Sequence, residues 1–353
     1  MSLNSSCNEA NKKRKWDMPL VGIARLASQS ELLEAKRSVE YFEIPTRSLL
    51  NRSKPNMPFR WTINPYRGCE FGCKYCYARY THEFMELDAF AFEDKIYAKE
   101  SPSFLLRQEL ARTPKQDAIA IGTATDPYQP AERRYRRTRA ILEMFAKERG
   151  WHLGLITKSD LVTRDLELLA EIGRRNVFSV TVTITTTDEK LARLMEPRAP
   201  RPELRLQAVQ KLRFAGVCVG VNPNPIMPGI TDSERSLDRL ARAAREHGAL
   251  TFGGGPLFLP SAAQKVFLPF LEREFPHLVE RYRKTYEASV HLGRAYKDAL
   301  AVRVNRIRER YGLAAGAIEY RPELWAEEEQ LDLFATVNSG CSSPSSTTTC
   351  PKS

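Results

Sequence analysis

Three cysteines stand within one short stretch, Cys69-Glu-Phe-Gly-Cys73-Lys-Tyr-Cys76, at x3 and x2 spacing. Gly68 and Gly72 let the backbone wrap tightly enough there for three thiolates to converge. Thiolates hold iron–sulfur clusters, and a cubane needs four ligands. Three protein ligands leave one iron open to a substrate or cofactor, as an open position marks a catalytic zinc rather than a structural one. The alternative is a structural zinc held by the three cysteines and His82. Structural zinc sites usually pair two Cys-x2-Cys knuckles, and Cys73–Cys76 is a single one. The chain has 7 cysteines, an odd and clustered set that suits a soft metal in a reducing, cytoplasmic compartment rather than a disulfide framework. Cys218 lies in an apolar run, and Cys7, Cys341 and Cys350 lie in polar end segments without an assigned role.

These thiols need a scaffold, and 353 residues suffice for two average domains or one large α/β barrel. With 42% hydrophobic and 27% charged residues, a largely disordered chain is excluded. No apolar run approaches the roughly 18–20 residues that span a bilayer, and Lys12-Lys13-Arg14-Lys15 runs into Trp16-Asp17 rather than a secretory apolar stretch. Short β-type runs at 59–65, 118–123, 152–157, 177–183, 217–222 and 250–253 alternate with helical patterns at 104–112, 132–149, 161–174, 204–214 and 233–246. Such alternation calls for parallel pairing with right-handed crossovers. A Gly-x-Gly-x-x-Gly after the first strand would mark a dinucleotide fold; the cysteine loop stands there instead, which favours a barrel with its chemistry at the C-terminal strand ends. The expected fold is α/β, a partial (β/α)6 TIM-type barrel with a C-terminal helical extension. Its expected divisions are a disordered basic leader (1–18), an N-terminal extension (19–58), the core barrel (59–260), a helical extension (261–335) and a disordered tail (336–353).

Cys69-x3-Cys73-x2-Cys76, with aromatic Tyr75 before the last cysteine, resembles the signature of the radical S-adenosylmethionine superfamily, over roughly 59–260. Asn64-Pro65-Tyr66-Arg67-Gly68-Cys69, Cys76-Tyr77-Ala78-Arg79 and Thr157-Lys158-Ser159 with Arg164-Asp165 resemble its spore photoproduct lyase-like branch. The resemblance implies a [4Fe–4S] cluster on the three cysteines whose open iron chelates S-adenosylmethionine. An electron, from a flavodoxin- or ferredoxin-type donor, then cleaves the sulfonium C–S bond, and the deoxyadenosyl radical abstracts a substrate hydrogen.

On the same basis Tyr75 would lie against adenine, and Thr123 and Asp126 would take the place of the segment that binds the methionine amine. Lys158, Ser179 and Arg198 would approach the carboxylate and ribose, while Ile226, in Pro225-Ile226-Met227-Pro228-Gly229, would flank adenine. His82 and Tyr128 are candidates for substrate-side acid–base or radical groups, with structural roles as the alternative. One departure matters: the spore lyase carries a hydrogen-donating cysteine just before its Thr-Ser-Asp segment, whereas Thr123 precedes Ala124-Thr125-Asp126 here. Spore photoproduct repair itself is therefore not expected.

The net charge of +11 fits a polyanionic partner. Arg133 to Arg139 and the Arg281 to Arg310 extension, with Tyr282, Tyr286 and Tyr296 interleaved, could present phosphate contacts and stacking aromatics, or be a solvated surface over core-facing tyrosines. Gln330-Leu331-Asp332-Leu333-Phe334 resembles the peptide by which bacterial repair proteins dock on the sliding clamp. The reading is a radical enzyme acting on nucleic acid, in DNA repair or modification; the alternatives are the same chemistry on a small molecule or protein, or a non-catalytic zinc-stabilised nucleic-acid-binding protein.

Overall fold

The computed structural model describes residues 20–325, apart from 37, 56, 101, 317 and 319. The leader, the tail and Gln330–Phe334 lie outside the described residues. Eleven strands follow in chain order among them: β1 (Glu31–Lys36), β2 (Val39–Ile44), β3 (Leu50–Arg52), β4 (Trp61–Ile63), β5 (Tyr66–Arg67), β6 (Lys95–Lys99), β7 (Ile119–Ile121), β8 (His152–Thr157), β9 (Val177–Thr183), β10 (Cys218–Asn222) and β11 (Thr251–Phe252).

Side chains of β8 and β9 alternate with the strand period of two: Leu153, Leu155, Phe178, Val180 and Val182 are buried in the main apolar cluster, while Gly154, Ile156, Ser179 and Thr181 take the opposite face. On β10 a Cβ at Gly220 would fall 1.8 Å from Thr251 Oγ1 of β11, so that pairing needs glycine. β4, β7, β8, β9, β10 and β11 lie side by side in chain order, every pair parallel, and β3 pairs antiparallel on the outer edge of β4. A doubly wound sheet would reverse its strand order at an internal switch point. This sheet runs in one direction, as an open partial barrel does, so the expected fold class holds.

Helices between the strands start at local stop signals: Ser159, Asp188 and Ser233 accept the N–H of Leu161, Leu191 and Ser236 (3.2, 3.0 and 3.2 Å). The helix expected over 132–149 is two, Glu132–Tyr135 and Arg137–Phe145, separated by Arg136 at φ 51°. The buried Glu132 carboxylate causes the break by accepting the N–H groups of Thr138 (2.9 Å) and Arg139 (3.1 Å) at the start of the second helix.

A second, smaller sheet runs β1–β2–β6–β5, and β5 leads straight into the cysteine loop. Its strands went unread because β5 has two residues and β1 is half polar, which leaves no clean alternation. Beyond β11, helices Ser261–Glu274, Val279–Tyr286 and Arg294–Arg310 follow. Phe267, Phe270, Leu271 and Tyr282 of the first two share one buried cluster with Cys69, Phe71, Cys73 and Tyr75, so the extension roofs the cysteine loop. The tyrosines weighed as stacking groups face inward: Tyr282 donates to Pro228 O (2.8 Å), Tyr286 to Leu257 O (2.9 Å) and Tyr296 to Asp232 Oδ2 (2.8 Å). Arg306 and Arg310 pair with Glu234 and Asp238, and Arg134, Arg137 and Arg139 pair with Glu34, Glu43 and Asp165. Much of the charge in those two arginine-rich runs is thus matched within the fold. Among the described residues no helix is long and apolar enough to cross a membrane.

Candidate active site

The cysteine loop is held by its backbone and by buried polar groups around it. Cys69 N–H donates to Phe92 O (2.9 Å), and Lys74 N–H donates to Met195 O (2.9 Å). Gly68 has φ 82°, and a Cβ there would sit 2.6 Å from Lys95 O, so no other residue turns the chain at that point. Its carbonyl accepts from Thr125 Oγ1 (2.6 Å) and Gln129 Nε2 (3.2 Å). Glu70, 6% exposed, accepts from Tyr41 OH (2.9 Å) and Ala131 N–H (2.7 Å). The fully buried Arg79 pairs with Glu93 and donates to Cys73 O (3.2 Å) and Ala89 O (2.8 Å). The loop is therefore fixed from several sides, and at Cys73 the fixing runs through the main chain rather than the sulfur.

Facing the loop at the C-terminal strand ends is a buried electrostatic array. Lys158, just past β8, lies with Nζ 5.7 Å from the centre of the Tyr75 ring. Tyr75 donates its hydroxyl to Glu196 Oε1, which also accepts from Thr185 Oγ1 (3.1 Å). Glu196 is paired with Arg205 at 2.5 Å, the two side chains 0% and 1% exposed. Arg205 also donates to Pro200 O (2.8 Å) and Thr183 O (3.1 Å). Burial pulls the Lys158 ammonium toward neutrality, but Cys73, Glu196 and Asp126 outweigh it and hold Lys158 charged. Burial likewise pushes the thiols up, Cys73 to about 12 against the pull of Lys158, and Cys69 further with Asp126 adding to it. Thiols held this way are ligands that a bound metal must deprotonate.

Asp126, 9% exposed, accepts from Thr157 Oγ1 (2.7 Å), Tyr128 N–H (2.9 Å) and Lys158 N–H (2.7 Å), bracketing the ends of β7 and β8. Thr123 pairs with Asn64, whose Oδ1 accepts Ala124 N–H (2.7 Å), and Thr123 O accepts from Tyr77 OH. Ile226 is buried beyond β10, its N–H donating to Gly255 O (2.9 Å). These residues, with Tyr75, Lys158 and the cysteines, gather at the strand ends.

Four candidates stand elsewhere. Ser179 pairs in register with Gly154, four residues before Thr183, which at the strand rise places it about 13 Å below the ends. Arg198 is exposed and pairs with Asp94 (3.0 Å), pinning the outer side of the loop rather than facing the array. Tyr128 is fully buried in the main core, donating to Asp165 Oδ2 (3.0 Å). His82 is 0% exposed, its ring between Phe92 and Tyr97 and its Nε2 bonded to Lys95 O (2.9 Å). Burial lowers His82 to about 4. A folded-state value below the unfolded one near 6.5 means that stability is full above about pH 6.5 and declines as pH falls toward 4, by roughly 3 kcal/mol at most. Replacing His82 with Gln, which keeps a donor, should flatten the drop in unfolding free energy between pH 7.5 and pH 5 in urea titrations; an unchanged drop would place the titration elsewhere.

His82 has only its Nε2 engaged, and it joins no metal set: among the described residues no three His, Cys, Asp or Glu side chains gather as a single ion would need. The donor set fits a cluster instead: three sheltered thiols in a glycine-turned loop under an apolar roof, with a cation opposite. The missed residues are Glu196, Arg205, Asn64 and Glu70. In Met195-Glu196-Pro197-Arg198 the sequence points to the arginine, whereas the buried group facing the loop is the carboxylate.

Comparison with known proteins agrees with this geometry. The family model of the radical SAM superfamily matches residues 63–241. An uncharacterized protein of Mycobacterium tuberculosis is 36% identical over 292 residues, covering 80% of this chain and 84% of that protein. The radical SAM Nα-GlyT isomerase of Pseudomonas phage M6 is 23% identical over 207 residues, 57% of this chain and 41% of its own. Among solved structures, spore photoproduct lyase complexed with dinucleoside spore photoproduct superposes with a TM-score of 0.59 at 18% identity, covering 77% of this chain and 80% of that one. By its cysteine loop, its singly wound sheet and the match to most of its core, the chain belongs to the radical SAM superfamily, enzymes whose cofactors are a [4Fe–4S] cluster and S-adenosylmethionine.

Proposed function

We propose that Cys69, Cys73 and Cys76 ligate the cluster and that the enzyme abstracts hydrogen from a nucleic-acid substrate, in repair or modification of DNA. The observation that carries the first part is the meeting of three sheltered thiols with the Lys158–Tyr75–Glu196–Arg205 array at the strand ends. When bound and reduced, the cofactors supply a deoxyadenosyl radical that takes a hydrogen atom from the substrate. Lys158 offers a fixed positive charge suited to the methionine carboxylate; Tyr75 keeps that ammonium in place by its ring face, and Glu196 keeps Tyr75 in place by its hydroxyl. Arg205 lets Glu196 stay ionised in the interior. Asp126 sets the direction in which the chain leaves β8, and with it the approach of Lys158. The roof of Phe267, Phe270 and Leu271 keeps water from the thiols.

Two things support nucleic acid as the substrate: the +11 charge, and a fold shared with an enzyme seen holding a dinucleoside. Thr123, where the spore lyase has its thiol, argues for a different final hydrogen donor. Radical SAM enzymes need a reductant, and a flavodoxin or ferredoxin type suits a chain whose cysteines fit the cytoplasm. Docking on a sliding clamp through Gln330–Phe334 is read by pull-down with purified clamp; equal capture of wild type and Gln330→Ala/Phe334→Ala removes it.

Anaerobic reconstitution tests the main reading. A brown protein that makes 5′-deoxyadenosine from S-adenosylmethionine after reduction, faster with nucleic acid present, is the expected result. A colourless protein holding one zinc overturns the cluster assignment, and turnover indifferent to nucleic acid shifts the substrate to a small molecule or protein.

A further inference from the structure

The matched arginines described above leave another pair of cations unmatched. Arg67 of β5 and Lys99 at the end of β6 make no hydrogen bond or ion pair through their side chains among the described residues, although Lys99 is only 6% exposed. Arg67 stands opposite Tyr97 in the β5–β6 ladder, and Lys99 is two residues from Tyr97, so the three side chains share one face. The carboxylate that acts on Lys99, Glu109, is occupied: it accepts the N–H groups of Leu49 and Leu50 at 3.0–3.2 Å. Burial and the neighbouring Arg67 push Lys99 down to about 7. Two cations set side by side in a half-buried site, facing only a carboxylate already bonded to two backbone N–H groups, are costly, and an anion that visits them lowers that cost.

Next to this pair runs a row of aromatic rings that solvent reaches. Tyr77, directly after Cys76, lies nearly parallel to Tyr80 (centroids 6.4 Å, 22°) and meets Phe258 edge-on (5.9 Å). Tyr80 meets Phe84 at 5.3 Å, and Phe258 lies against His291 at 4.9 Å. Phe84 is 63% and Tyr77 37% exposed. Tyr97, paired with Arg67 across the ladder, has its ring 6.1 Å from that of His82, on the short helix Tyr80–Glu83 that carries Tyr80 and leads into Phe84, so the cations and the rings are neighbours. Glu83, the carboxylate on the same short helix, is neutralised by Lys265 (2.7 Å). Five rings in line, with unmatched cations beside them, are the two components by which proteins hold unstacked bases and their phosphates.

We propose that this surface binds a single-stranded nucleic-acid segment, with phosphates at Arg67 and Lys99 and bases on the Phe84–Tyr80–Tyr77–Phe258–His291 row. It rests on the nucleic-acid reading of the substrate and says where the strand lies: across the outer side of the cysteine loop, with Tyr77 bringing one base next to Cys76. The basic runs legible in the sequence are not its contacts.

Fluorescence anisotropy on the full chain, with a labelled oligothymidylate and a duplex as probes, tests this. The single strand should bind more tightly than the duplex. Lys99→Met should weaken it about tenfold and lower the slope of log affinity against log salt by about 0.7, one phosphate's worth. Phe84→Ala with His291→Ala should also weaken it about tenfold while leaving the slope unchanged. Lys99→Met removes a buried charge and should melt no lower than wild type; if it does not fold, the exposed Phe84/His291 pair decides alone. Variants that bind as wild type does overturn this site and leave the nucleic-acid reading standing. Equal affinity for duplex overturns the single-strand assignment, and a wild type that binds neither probe at low salt removes the nucleic-acid reading and this site together.

Discussion

Cys73→Ala yields a folded, colourless protein that makes no 5′-deoxyadenosine from S-adenosylmethionine. Folding should survive because nothing holding the loop passes through the sulfur: the contacts are Cys69 N–H to Phe92 O, Lys74 N–H to Met195 O, and Arg79 to the Cys73 carbonyl. A methyl group in the apolar pocket of Phe71, Tyr75 and Phe267 costs little more than the thiol did. The cluster has no such tolerance. Three ligands are already one short of four, and a position 8% exposed gives water little room to replace the lost thiolate. Iron and sulfide content, the broad iron–sulfide absorbance and deoxyadenosine yield read the result together. Full iron content with wild-type yield would mean that Cys73 is no ligand.

Arg205→Ala is expected to be the most destabilising single change in the site that leaves the cysteines intact. It strips the partner from a carboxylate that is 0% exposed, which costs roughly 3–5 kcal/mol, whereas replacing both members by apolar or neutral groups of like volume is often near neutral. A melt lowered by roughly 10 °C is the corresponding size. Glu196→Gln with Arg205→Met should recover most of that stability. The double variant should still fail in function, because Tyr75 loses its charged acceptor and Lys158 loses two of the charges around it. The Michaelis constant for S-adenosylmethionine should rise while the iron content stays at wild-type level. A single variant that melts within about 1 kcal/mol of wild type would show that the pair is reached by water.

Much of the scaffold was legible because its signals are local. β8 and β9 carry a two-residue alternation long enough to be read to their ends, and Ser159 and Ser233 cap the helical segments that come after β8 and β10. The second sheet was not legible, since β5 spans two residues and its partner β6 lies past the cysteine loop. The single helix over 132–149 was misread for a tertiary reason. Glu132 has good helix propensity, yet its carboxylate, shared with Tyr66 and Arg164, terminates one helix and caps the next.

The expected residues that the fold brings together are those whose meaning lies in covalent spacing or in the last turn of a strand: Cys69, Cys73, Cys76, Tyr75, Asp126 and Lys158. Ser179 lies deeper along β9 than the others because strand register, not residue type, sets height along a barrel. His82 and Tyr128 look chemical in a sequence and are buried groups in the fold, His82 bonded inward through Nε2 and Tyr128 through its hydroxyl.

The sequence by itself determined the three-thiol loop, the parallel series that carries it and the chemistry of the family, because spacing and periodicity are properties of neighbours along the chain. Only the tertiary structure decided which charges are in use. Tyr75 reaches Glu196 across 121 residues, and Arg134 reaches Glu34 across 100. Whether a cation is matched depends on which carboxylate folding brings within a few ångströms, since the Coulomb energy of a pair falls with distance in space and is blind to distance along the chain. That is why the conspicuous arginine runs are largely matched, while the inconspicuous Arg67 and Lys99, just before the cysteine loop and across the ladder from it, make no ion pair among the described residues.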